Sequence, residues 1–512
     1  MAQPHNPRKS SLPSPPAEQS PIFSASDPGY RLVIPARRSP NVAQAVLLAG
    51  TVAQLAIALL ITVYLARGLS PSAFGFFSLV GSIFILARKF LDLGLSNVAS
   101  REITRDPQRE RPILEGLMAY RRAAGLVLAL ALMVFAVFQK GQIERDILIA
   151  VGVVLLFTEP AALDPVFQVR QAQGGPALLN ILGGMLVLGG SVVLMRLNVA
   201  GPSFAWLLIV REGFVLLFTM LLADRLLGYR PKPGFRGRAL REFIAPALIF
   251  GLASLIYTIY FHCDVFFVYA LRGKEELGAY AAAYRPINPL LLLPWLLMVP
   301  MIPVLTASAA GDRDKFVRQV RGACGLALGL GSCAFVAGVL LAPELVQLLY
   351  RGRYLYGALS CVNAFRWLAV ALAQVCVTTV LAASLLAHGK EKLLLAIGAS
   401  AFVVNAAFNL VALHYYNFTA AGFATALTEL LYLVCALVAF RLVSGYSALT
   451  WESLVYLLPA IAMGTILKFV GGGPAMKVGC GIVLGGLAAA AILFSSGARR
   501  FRAEMTGSSP AF

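Results

Sequence analysis

Charge is scarce in this chain. Of 512 residues, 24 are acidic and 43 basic, so only 13% carry charge. An ordinary soluble domain carries about 25%. Histidine is scarcer, with four copies, none in an HExxH-type spacing. The seven cysteines, Cys263, Cys324, Cys333, Cys361, Cys376, Cys435 and Cys480, form no CxxC pair and all fall in or beside apolar segments. They read as small buried hydrophobes, not metal ligands or redox thiols. No GxxxxGKS/T loop occurs, which excludes an ATPase of the P-loop type within the chain.

Apolar residues fill the space that charge leaves. The chain is 59% hydrophobic, with a mean hydropathy of +0.78. These values describe an all-α membrane protein of many spans. The net charge of +19 is not a nucleic-acid signature, because the basic residues sit in short segments between apolar runs. That is how positive charge orients a membrane protein, with the basic segments on the cytoplasmic side.

Residues 1–40 are rich in Pro and Ser, have no apolar period, and are expected to form a disordered cytoplasmic tail. It does not read as a secretory signal. About fourteen apolar stretches follow, each long enough to cross a bilayer as a helix. A basic linker at 227–242 divides an N-terminal bundle of six spans (41–226) from a second one (243–445). Two more spans (446–498) and a cytoplasmic tail (499–512) complete the chain. Basic clusters at 100–122, 225–241, 313–321 and 499–502 place both termini in the cytoplasm. Apart from these clusters the connecting loops are short, with no room for an external catalytic domain.

The stretch from Arg67 to Ile103, "RGLSPSAFGFFSLVGSIFILARKFLDLGLSNVASREI", opens on a turn signal at Leu69-Ser70-Pro71 and carries Arg88, Lys89 and Asp92 in its apolar helix. Its start matches "RGKEELGAYAAAY" (Arg272 to Tyr284) after a two-residue slip. Parallel halves with a site between them near mid-bilayer are a transporter pattern.

Charges at bilayer depth are costly and are kept for pairing, a pathway or a site. Arg88, Arg211, Arg285 and Arg366 are candidates for lining a cavity that takes an anionic headgroup, since the guanidinium fork matches phosphate oxygens and stays charged. Lys89 reads as a snorkelling or structural residue. The competing reading is internal pairing. Arg88 and Asp92 are four apart on one helix face, whereas Arg211 and Glu212 point about 100° apart. Arg285 heads "YRPINP", where Pro286 and Pro289 are expected to break the helix and free backbone groups beside a cavity. Asp92, Glu159 and Asp264 are the candidate ion-coupling or gating acids, with Glu159-Pro160 and Asp164-Pro165 in a kinked fourth span. Asn405 and Asn409 share a helix face and read as packing contacts.

"LARGLSPSAFGFFSLVGSI", "LDLGLSNVASREI", "FHCDVFFVYALRGKEELGAYAAAYRPINPLLLLPWLLMVPMIPVLT" (Phe261 to Thr306) and "APELVQLLYRGRYLYGAL" (Ala342 to Leu359) occur in this order. They resemble the oligosaccharide/polysaccharide flippase family of the MATE-like exporter superfamily over most of residues 42–445. The resemblance implies two pseudo-symmetric six-helix bundles facing a cavity, plus two C-terminal helices. It implies transport of an undecaprenyl-pyrophosphate-linked glycan across the bacterial inner membrane by alternating access, for O-antigen or exopolysaccharide synthesis. The expected partners are the lipid-linked glycan, membrane lipids and a glycan polymerase or export machinery, with no nucleic acid. The protein is expected to be a monomeric transporter, not an enzyme, without a cofactor and driven by a proton or sodium gradient. The alternatives are a multidrug or cation antiporter of the same fold and a membrane glycan polymerase or ligase.

Overall fold

A computed structural model describes residues 40–170, 172–229, 231–234, 237–298, 301–495 and 498. The expected tails at 1–39 and 499–512 and part of the basic linker lie outside the described residues, as does the side chain of Glu159. The described chain is helical, with no strands among the described residues. Among the described residues, twelve helices are long and apolar enough to cross a membrane, or up to thirteen if one bent pair is a single span. The expected fourteen is not confirmed by this count, which takes the stretch Ser254–Leu291 as one span although it turns at Gly273.

The N-terminal helices are α1 (Pro40–Gly68), α2 (Pro71–Asp92), α3 (Leu95–Arg105), α4 (Glu110–Val137), α5 (Gln142–Leu156), α6 (Asp164–Val169), α7 (Gly174–Arg196) and α8 (Trp206–Leu227). The turn before α2 behaves as its residues dictate. Ser70 accepts a hydrogen bond from the Ala73 amide at 3.2 Å, and Pro71 stands where no amide is needed. α2 ends at Asp92. Leu93 (φ 39°) and Gly94 (φ 72°) adopt left-handed conformations in succession and break it. α3 beyond the break is amphipathic, with Arg101 and Arg105 exposed. The kink foreseen in the fourth span is present. α5 and the segment from Pro160 to Val169 meet at 41°, around the prolines.

The second set comprises α9 (Gly237–Met298), α10 (Ile302–Gly311), α11 (Arg313–Leu340), α12 (Ala342–Tyr350), α13 (Val362–Ala387), α14 (Glu391–Tyr415), α15 (Thr419–Ser444), α16 (Leu458–Phe469) and α17 (Pro474–Leu493). α9 is continuous by hydrogen bonding but turns at Gly273, whose φ of 85° and ψ of −175° are open to glycine alone. Its two arms fold back on each other. The Tyr284 hydroxyl donates to the Phe261 carbonyl at 2.7 Å, and Tyr280 donates to Asp264 at 2.9 Å. Those pairings are antiparallel, so the apolar stretch Ser254–Leu291 is a hairpin of two arms.

α1 packs on α7, α4 on α5, and α7 on α8, while α11, α13 and α15 pack together and α14 leans on α15 and α9. α2 and α9 make the seam between these sets. Two glycines let the backbones touch there. A Cβ on Gly75 would collide with the Lys274 carbonyl, and one on Gly278 would collide with the Pro71 carbonyl. Toward the other end of the bundle, Gly251 of α9 lies against the Leu93 carbonyl in the same manner. The largest buried cluster straddles the seam and includes Phe74, Phe77, Tyr280, Tyr350 and Phe418.

Pro286 and Pro289 do not break the second arm of α9, contrary to expectation. Its only non-helical residue is Gly273. Pro286 has no amide for the Ala282 carbonyl four residues back. The Tyr350 hydroxyl of α12 supplies that bond instead, at 2.7 Å. A tertiary donor thus permits an unbroken helix.

Candidate functional site

The charges at depth include an arginine cluster among the N-terminal helices, a lone arginine at the seam and two buried carboxylates, Asp264 and Glu429, in the second set. In the first, Glu212 of α8 is 3% exposed and receives two guanidinium groups. Arg88 of α2 approaches it at 3.3 Å and Arg211 at 3.1 Å. Arg211 also donates to Asn180 of α7 at 3.0 Å. Two cations share this one carboxylate, and Asp164 of α6 also lies within electrostatic range of Arg88. Arg88 is the open member, with its side chain 41% exposed.

This arrangement differs from the pairings that spacing suggests. Asp92 does not neutralise Arg88. It pairs with the buried Arg121 of α4 at 3.0 Å and accepts a short hydrogen bond from Ser96. Arg211 and Glu212 do meet despite leaving the helix about 100° apart. The arginine stem is long enough to bring its head back. Lys89 is exposed, with its ammonium 3.5 Å from Ser254 across the seam.

Arg285, in the second arm of α9, has no hydrogen-bond or ion-pair partner among the described residues. Its guanidinium stands 5.1 Å from the centre of the Phe77 ring and 5.7 Å from that of Phe74, both on α2. A Cβ at Gly81 would sit 3.1 Å from its Nη2, so the absence of a side chain there gives the head room. Aromatic faces attract a cation but leave its five donors unfilled. The neighbouring His262 stacks edge-on against Tyr284 at 6.0 Å, and its buried Nδ1 has no partner among the described residues.

Arg366 of α13 is placed differently. It donates to the Val339 carbonyl in the last turn of α11 at 3.3 Å and to Asn363 at 3.2 Å. Those bonds tie it to a helix terminus in its own set of helices.

Asp264 is 3% exposed on the first arm of α9. It has no cation beside it among the described residues. Neutral donors satisfy it. Thr425 donates at 2.6 Å and Tyr280 at 2.9 Å to one oxygen, and Asn409 at 2.8 Å to the other. Asn409 also donates to the Asn405 side chain at 2.9 Å, and Asn405 in turn to Thr428 at 3.3 Å. Asn405 and Asn409 therefore do more than pack helices. They belong to the shell of the acid. The i,i+4 spacing of two asparagines, facing Thr425 and Thr428 on the next span, was the available signal. A small pocket of about 10 Å³ opens beside the carboxylate, lined in part by Tyr260, Tyr284, Leu368 and Thr425, with room for about one water.

Among the described residues no group of three His, Cys, Asp or Glu side chains is placed to hold a metal. The seven cysteines are free, five of them buried.

Comparison with known proteins places this geometry in context. The structure resembles a lipid II flippase, MurJ, in an inward closed conformation, with a TM-score of 0.69 at 13% identity over 89% of this chain and 99% of the other. It also resembles a Vibrio cholerae MATE transporter, with a TM-score of 0.52 at 15% identity over 78% and 96%. An outward-facing multidrug resistance MATE transporter of the MOP superfamily gives 0.51 at 17% over 80% and 97%. These likenesses establish the MATE- and MurJ-like fold. A comparison with curated protein sequences finds no match. A family model described as "MatE" matches residues 250–411. Another, described as "Polysaccharide biosynthesis protein", matches residues 44–308. The latter match spans more than half of the sequence, and the chain belongs to the polysaccharide biosynthesis protein family, with the fold of the MOP superfamily transporters.

Proposed function

We propose that this protein flips an undecaprenyl-pyrophosphate-linked oligosaccharide across the bacterial inner membrane by alternating access. The family match and the flippase-like fold support a lipid-linked glycan as substrate. The observation that carries the reading is Arg285. It is a cation at the seam between the halves, with no anion of its own among the described residues. An isolated charge at this depth is expensive, and a bound phosphate would repay the cost with charge-assisted hydrogen bonds. Arg88 and Arg211, sharing one carboxylate, would add a second positive wall. Both termini face the cytoplasm in this reading, because the basic segments lie at the end of the bundle away from Arg67.

Asp264 is our candidate for the coupling group. It exchanges a proton or a sodium ion as the halves rock, and Asp92 and Glu159 serve the same role less directly. A cation antiporter remains the second reading, and the unpaired Asp264 is the feature in its favour. The enclosure of that acid by helices of a single set argues against its meeting a bulky drug.

Reconstituted vesicles carrying a defined lipid-linked glycan test the proposal. Arg285→Ala is expected to lower flipping at least about tenfold, the loss of one charge-assisted contact, with smaller losses for Arg88→Ala and Arg211→Ala. Undiminished transport in all three, or export of cationic dyes by the wild type in place of glycan, would sink it.

A further inference from the structure

The motifs "LARG" and "YRGRYLYG" find no role in the site just described, yet the structure brings them together. α1 and α12 lie on opposite sides of the seam. The Arg67 guanidinium donates from Nε to the Leu349 carbonyl at 2.6 Å and from Nη2 to the Leu348 carbonyl at 2.7 Å. These carbonyls belong to the last turn of α12. Arg353 returns the contact. Its Nη1 donates to the Arg67 carbonyl at 2.9 Å and to the Ala66 carbonyl at 3.4 Å, in the last turn of α1.

We propose that Arg67 and Arg353 form a reciprocal latch in which each caps the helix that presents the other, and that the latch must open for the outward-facing state to form. The inference rests on the alternating-access reading above. The last carbonyls of a helix lack intrahelical partners and carry the negative end of its dipole, so a guanidinium is well suited to both positions. Arg351 (φ 52°) and Gly352 (φ 84°) turn the chain sharply after α12 and aim Arg353 back at α1. Neither latch arginine has a carboxylate partner among the described residues, so the contact is made to backbone alone. Tyr350, at the end of α12, is tied by its hydroxyl to Ala282 in the α9 arm that carries Arg285. A release at the latch is therefore linked by direct contacts to the helix of the anion site. A second bond across the seam, Lys274 to Glu144 at 2.6 Å, lies at the same end.

The fork geometry matters. Arg67 uses two separate nitrogens on two carbonyls, which a lysine ammonium cannot reproduce with the same direction. The latch thus predicts a graded series in place of an all-or-none charge effect.

Spin labels at Ser72→Cys and Tyr356→Cys, both exposed and on opposite sides of the seam, report its width. The full chain is used in nanodiscs, with Cys435 and Cys480, the two cysteines that are not buried, replaced by Ser. No glycan is needed, so the readout is independent of the substrate assignment. Arg67→Ala and Arg353→Ala are each expected to raise the long-distance population about tenfold, the scale of losing one or two charge-assisted hydrogen bonds. Arg67→Lys should fall between these and the wild type. Lys140→Ala, which is bonded to neither arginine, should leave the distribution unchanged. Distances identical to wild type in the two alanine variants would overturn the latch. Should an alanine variant fail to fold, the lysine variants decide, and their matching the wild type would equally overturn it. A failure of glycan flipping with a normal shift in distances would instead overturn the substrate reading and leave the latch standing.

Discussion

Glu212 shows what a single residue can hold in a low-dielectric interior. Its carboxylate is 3% exposed and is shared by Arg88 and Arg211. Removing the charge leaves two guanidinium groups facing each other with no anion between them. Breaking a buried ion pair costs about 3–5 kcal/mol, and the partial exposure of Arg88 brings the expectation down to about 2–3 kcal/mol. Glu212→Gln should therefore lower the thermal midpoint of the purified protein, while Arg88→Gln, which leaves Glu212 paired with Arg211, should shift it far less. Equal shifts would show that the shared arrangement does not exist. The residues of this cluster were legible in the sequence, but their pairing was not. Four-residue spacing put Arg88 and Asp92 on one face, yet each found its partner on another helix. Spacing describes one helix, whereas at bilayer depth the nearest opposite charge on any neighbour wins.

At the scale of an element, α9 joins the two functional regions. Asp264 sits on its first arm and Arg285 on its second, and Gly273 sets the turn between them. The repeat that begins at Arg272-Gly273 coincides with this turn. The unbroken course through Pro286 was not legible in the sequence, because its compensation comes from a residue 64 positions later, the Tyr350 hydroxyl on the Ala282 carbonyl. Tyr350→Phe keeps the ring and removes only that donor. It should cost about 1–3 kcal/mol, the penalty of an unpaired buried polar group, seen as a lower unfolding midpoint. Unchanged stability would mean that Ala282 finds another donor. Gly278 gives a complementary test at the seam. A leucine there would push against the Pro71 carbonyl, and overpacking of this kind costs about 1–3 kcal/mol.

Across the whole molecule, the apolar runs and the scarcity of charge were sufficient to read an all-helical membrane protein, and the internal repeat and the ordered motifs led to a transporter and to the family. What composition could not show is that the halves touch at both ends. Gly75 and Gly278 close one end, and Gly251 closes against Leu93 toward the other. A chain closed at both ends must move to work, and something must bias the movement. Asp264 is the buried acid best placed to do so, since three neutral donors from α9, α14 and α15 converge on it and no cation is fixed beside it among the described residues. An arriving proton or sodium ion would change the net charge of that cluster by one unit and draw those three helix segments into a different balance. Asn at this position keeps the size and one acceptor but cannot change charge. In vesicles with an imposed inward proton or sodium gradient, wild-type flipping should accelerate, whereas Asp264→Asn should flip at a rate indifferent to the gradient. An Asp264→Asn variant that still responds to both gradients would place the coupling elsewhere in the molecule.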